Sequence, residues 1–133
     1  MKSLKSDFKF SFESLEVWQN SIALTKDIYI ITKQFPDYEK FGLVTQIRRA
    51  IVSVSSNLAE GSAKTSLKDQ ARFTEIAFGS LLEVLNQLII AQELGYMEEQ
   101  DLLCTRETIL NLSRQINALK NSQLRRSKHV KPE

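Results

Sequence analysis

The chain is poor in the residues that punctuate a fold and in those that carry chemistry: 133 residues hold one histidine, one cysteine, one tryptophan, two prolines and four glycines. The single cysteine, Cys104, excludes an intrachain disulfide and reads as an inert thiol. The single histidine, His129, lies near the C-terminus. That leaves no histidine base for a nucleophile in the body of the chain and no Glu-x-x-His pair for a bundle di-iron centre. Glu60, Glu75 and Glu83 without histidines are a poor basis for a metal site, and no glycine-rich phosphate loop is present. The expectation is a non-enzyme with no catalytic, cofactor-binding or metal-binding residues and no small-molecule substrate. The N-terminus lacks the apolar core of a signal peptide, and no apolar run approaches the roughly 20 residues of a membrane span. A cytoplasmic protein without a membrane partner is therefore expected. The net charge of +2 argues for no partner by itself.

What is present is an ordinary globular composition, 42% hydrophobic and 26% charged, in a length that supports one core without disulfides or metal. The charge is unevenly spread: Lys2, Lys5 and Lys9 crowd one end, and Arg114, Lys120, Arg125, Arg126, Lys128 and Lys131 the other. Periodicity divides the chain into a flexible N-terminal tail (1–12), a four-helix body (13–122) and a basic disordered tail (123–133).

The first helix begins near Ser14, repeats Leu15, Trp18, Ile22, Thr25, Tyr29 and Thr32 at three-to-four spacing, and stops at Pro36. The second spans Gly42 to Gly61 with the seam Ile47, Ile51, Val54 and Leu58, its start blurred by the preceding Pro-Asp-Tyr-Glu turn. Gly61 is read as its stop. The third opens on Ser66 with Asp69 three residues later, a variant capping box, and runs to about Leu94 with Gly95 beyond it. It is apolar nearly all round between residues 76 and 91, so it needs burial on more than one side, and Gly79 within it suits close backbone approach. The fourth opens on Glu98-Glu99-Gln100-Asp101 and carries Leu102, Ile109, Leu112, Ile116 and Leu119 in a heptad broken at Thr105. No strand pattern is visible. Four amphipathic helices with short connections make an all-α, up-down-up-down four-helix bundle.

Beside the apolar seam of the second helix runs a polar row at Gln46, Ser53, Asn57 and Glu60. Groups on a mostly buried helix either hydrogen-bond inside the fold, since an unpaired one costs about 1–3 kcal/mol, or face a second chain or a ligand. Inside the fold, Arg49 pairs with a carboxylate such as Glu83 or Glu75, and Asn57 and Glu60 tie the chain's exit to the third helix around Ser80 and Glu83. This makes Gln46, Arg49, Ser53, Asn57, Glu60, Ser80 and Glu83 a structural polar network. Arg48 remains open to phosphate, whose geometry matches the guanidinium fork. With Lys64, Lys68, Arg72, Arg125, Arg126 and Lys128 it forms the candidate set for nucleic-acid or partner binding.

Several stretches resemble one family. They are Phe12-x-x-Leu15-x-Val17-Trp18-Gln19, Phe35-Pro36-x-x-Glu39-x-x-Gly42-Leu43-x-x-Gln46-Ile47-Arg48-Arg49-Ala50, Ser53-x-x-x-Asn57-x-Ala59-Glu60-Gly61, Gly79-Ser80-x-x-Glu83 and Leu94-Gly95-Tyr96. Together they are similar to the four-helix-bundle proteins encoded in intervening sequences of bacterial 23S ribosomal RNA genes. The resemblance covers about residues 12 to 120. It implies a bundle that assembles into a homo-oligomeric ring, a homopentamer in relatives, and a distant similarity to the accessory protein of diversity-generating retroelements, which associates with a reverse transcriptase and with nucleic acid. The resulting expectation is a module that binds itself and structured RNA or a ribonucleoprotein partner. The rival expectation is a structural or adaptor ring that recruits a protein without nucleic acid.

Overall fold

The computed structural model describes residues 9–129, so the expectations for 1–8 and 130–133 lie outside the described residues. Four α-helices account for most of them: α1 (Glu16–Thr32), α2 (Leu43–Ser62), α3 (Leu67–Glu93) and α4 (Glu99–Lys128). Short 3-10 turns at Ser11–Ser14 and Asp37–Glu39 precede α1 and α2, and no strand occurs among the described residues.

Each boundary has a local cause. Phe12 stands edge-on to Trp18 at 5.0 Å between ring centroids, which holds the first turn against α1. The Glu39 carboxylate accepts the Leu43 N–H at 3.2 Å and so satisfies a free donor at the start of α2. Ser66 caps α3 by accepting the Asp69 N–H at 3.3 Å. At the far end of α3, Gly95 takes φ +82°, with Tyr96 N–H to Ala91 C=O at 2.8 Å and Gly95 N–H to Gln92 C=O at 3.0 Å. That is a Schellman closure, in which a positive φ favours glycine.

The core draws on all four helices, with Leu24 and Ile28, Ile47, Ile51 and Val54, Leu81, Val84 and Leu88, and Ile109 and Ile116 essentially sealed from solvent. α3 packs along α2 on one side and α4 on the other, while α1 lies against both α2 and α4. This double packing explains the nearly all-round apolar character of α3. By length and composition alone α3 would also pass for a membrane span, as the core helix of a bundle does. Its greasiness serves two neighbours, yet Ile76, Leu82 and Ile90 remain exposed.

Three expectations are revised. The fourth helix does not stop at Ser122 but continues to Lys128, through residues expected to be disordered. Gln123 is buried there, and the Thr74 hydroxyl lies 2.8 Å from its Oε1 and 3.0 Å from the Gln70 carbonyl, so a polar contact extends the packed face. Thr105, the apparent break in the α4 heptad, is buried with its hydroxyl donating to the Asp101 carbonyl at 3.0 Å. The close helix–helix approach expected at Gly79 falls instead at Gly61, beside the end of α2. Gly61 lies inside α2, and a Cβ there would stand 2.9 Å from Phe73 Cβ and 3.4 Å from the Gln70 carbonyl of α3. Gly79 is exposed, with nothing within 4 Å of its virtual Cβ.

Candidate nucleic-acid interface

Six of the seven basic candidates gather at one end of the bundle. Lys64 stands in the α2–α3 connection, its Nζ 4.8 Å from the Phe73 ring centroid and its carbonyl accepting the Gln70 side-chain amide at 2.9 Å. Lys68 and Arg72 follow on the first turns of α3, one turn apart and exposed. Arg125, Arg126 and Lys128 occupy the last turn of α4, where cations offset the negative end of the helix dipole. The Thr74–Gln123 contact brings this last turn beside the start of α3. Glu60, Asp69 and Glu75 are also exposed near this end and temper its field.

Arg48 stands apart from them. Its Nε donates to Thr32 Oγ1 at 3.0 Å, one terminal nitrogen donates to the Tyr29 carbonyl at 3.3 Å, and its guanidinium lies 4.4 Å from the Tyr29 ring centroid. It therefore spends its fork on the last turn of α1, a carbonyl-rich helix end that favours a cation.

The polar row divides in two. Ser53 and Ser80 hydroxyls meet at 2.9 Å, and the Asn57 amide donates to the Ser53 carbonyl at 2.8 Å and to its hydroxyl at 3.0 Å, which joins α2 to α3. Gln46, Arg49, Glu60 and Glu83 are exposed instead. The buried Arg49–Glu83 pair is thus absent: Glu83 accepts from Gln87 at 3.4 Å. Charged groups here avoid desolvation by staying in water, which costs less than burying a pair.

Sequence reasoning missed the joint at the opposite end. The Tyr96 hydroxyl donates to Glu39 at 2.8 Å, linking the α1–α2 connection to the α3–α4 connection. Phe35 and Tyr38 flank the same ring at 5.8 and 6.2 Å between centroids. Its neighbours Tyr38 and Glu39 hold the phenol protonated above its ordinary range. The residues were visible in the motif stretches, but nothing in their spacing paired positions so far apart in the chain.

Helices, connections and polar surface together define an all-α four-helix protein. Residues 13–118 match the 23S rRNA-intervening sequence protein family, and the chain belongs to that family. It is similar in fold to a crystal structure of a protein of unknown function from the S23 ribosomal protein family of Bacteroides thetaiotaomicron. The two share 18% identity with a TM-score of 0.73, over 79% of this chain and 95% of that one. No curated protein matches the sequence.

Proposed function

We propose that the chain is a non-enzymatic, self-associating four-helix module that contacts structured RNA or a ribonucleoprotein through its basic end. The observation that carries this reading is the convergence of Lys64, Lys68 and Arg72 with Arg125, Arg126 and Lys128, which the sequence holds more than fifty residues apart. Exposed cations at a helix end form a surface to which phosphates are drawn. The name of the family, with its reference to a 23S rRNA intervening sequence, agrees with an RNA partner. In this reading the short connections alternate the helices up and down, Ile76, Leu82 and Ile90 meet a second copy, and a closed ring, a pentamer by resemblance to relatives, repeats the basic end around an axis. The protein works in the cytoplasm.

A filter-binding titration at low salt tests this. Retention of ribosomal RNA that weakens with added salt is expected, and no retention of ribosomal or random RNA overturns it. The exposed apolar residues of α3 also favour a second reading, a ring that recruits a protein partner without nucleic acid. A specific protein recovered in a pull-down after nuclease treatment, with no RNA retained on filters, supports that reading over the first.

A further inference from the structure

The seam between α1 and α4 is open on its outer side, and three hollows follow one another along it. One of about 320 Å³ lies at the α3–α4 connection among Ile30, Ile31, Met97, Glu98 and Asp101. The next, about 250 Å³, shares Ile30 and Ile31 and adds Leu24, Asp27 and Cys104. The third, about 190 Å³, shares Leu24 and Asp27 and reaches Asn20 and Gln115, whose side chains meet at 2.9 Å and close that end. Shared walls make one groove that follows α1 from Asn20 to Gln34, about 20 Å at 1.5 Å per residue. Its floor is Leu24 and Leu112, and Ile30, 62% exposed, forms an apolar wall. Among the described residues the charged members of its lining are Asp27, Glu98 and Asp101, and no lysine or arginine lines it.

We infer that this groove docks a basic amphipathic helix from a partner protein. About four turns of helix match its length, and an apolar stripe at i, i+3, i+4 and i+7 would lie on Leu24, Ile30 and Ile31. Lysines and arginines beside the stripe meet the acidic rim, which supplies orientation and on-rate. Charge complementarity disfavours this chain's own α3 as the occupant. Ile76, Leu82 and Ile90 on α3 are accompanied by Glu75 and Glu83, which would bring acid against acid. The groove lies on the α1–α4 side, away from the α2–α3 connection, so the inference stands independently of RNA binding at the basic end.

Cys104, the chain's one thiol, is exposed and lines the groove, so it reports occupancy directly. The probe is a fluorescein-labelled peptide of Leu and Lys, about four turns long at helical period, beside a scrambled peptide of equal composition. Fluorescence polarisation with the full chain is expected to show saturable binding of the periodic peptide alone. Binding should weaken about tenfold or more in Asp27→Lys/Asp101→Lys, and bound peptide should slow modification of Cys104 by a thiol reagent. Ile30→Ser, at an exposed position, provides a second variant expected to weaken binding. Equal binding of the scrambled peptide, unchanged affinity in both variants, or an unprotected Cys104 would each overturn the inference. So would protection of Cys104 that grows with protein concentration in the absence of peptide, since a second copy would then be the occupant. Added RNA should leave Cys104 reactivity unchanged, which separates this result from the behaviour of the basic end.

Discussion

Replacing each helical glycine with alanine should change stability in opposite directions. At Gly61 the added methyl would meet Phe73 Cβ at 2.9 Å and the Gln70 carbonyl at 3.4 Å. Neither is the free end of a flexible chain, so relief requires α2 and α3 to separate where they pack. Overpacking of that kind costs about 1–3 kcal/mol, with rigid neighbours toward the upper end. Better helix propensity returns about 1 kcal/mol. Gly61→Ala should therefore lose about 1–2 kcal/mol. At Gly79 nothing lies within 4 Å, and Gly79→Ala should gain about 1 kcal/mol from propensity alone. Urea melts followed by far-UV circular dichroism, with an unchanged slope and a shifted midpoint, measure both. A thermal melt should separate the variants by roughly 5–15 °C for a chain of this size. A stabilised Gly61→Ala, or a destabilised Gly79→Ala at protein concentrations where the chain is monomeric, would refute the reasoning.

Other expectations concern the two ends of the bundle. Arg48→Ala should destabilise by about 1–2 kcal/mol, because it removes charged hydrogen bonds to the end of α1, while changing RNA affinity little; weaker filter binding at unaltered stability would reverse that assignment. Gln123→Ala should cost about 1 kcal/mol and speed amide exchange in the last turns of α4, as measured by hydrogen exchange, whereas unaltered protection would contradict the Thr74 contact. Tyr96 should titrate above the ordinary phenol range in an ultraviolet absorbance titration. Folding favours its protonated form, so this contribution is complete below the ordinary phenol value of about 10 and is lost as pH rises above it. Tyr96→Phe should remove that high-pH step, and its persistence would locate it elsewhere.

The helices were legible because periodicity, caps and breakers agree: Ser66 caps α3, Pro36 bounds α1, and the seam Ile47, Ile51, Val54 and Leu58 is the buried face of α2. The misreadings share a physical origin. Gly61 reads as a stop and Gly79 as a close approach, but only the distance to the neighbouring helix separates close approach from open surface, and it reverses that assignment. Gln123 and Thr105 are polar residues on a buried face, so a hydrophobic pattern counts them as interruptions although each finds a hydrogen-bond partner. Arg49 and Glu83 suit each other by opposite charge, yet both are exposed, where water solvates each ion without a geometric demand. The basic end was legible in composition but not in position, since Lys64 to Arg72 and Arg125 to Lys128 converge only through the packing of α3 on α4. The Glu39–Tyr96 joint had no sequence signal beyond the motif stretches that contain it.

The central claim, RNA contact through the basic end, is tested most directly by the salt dependence of RNA affinity in the parent and in Arg125→Glu/Arg126→Glu. These residues are exposed on the last turn of α4, so the reversal should leave the fold intact, as circular dichroism can verify. The parent's log affinity should fall linearly with log salt, and the variant's slope should be shallower by about 1 for each phosphate that these arginines neutralise in the parent. Identical affinities and slopes in parent and variant, or no measurable RNA affinity at low salt, would contradict the account.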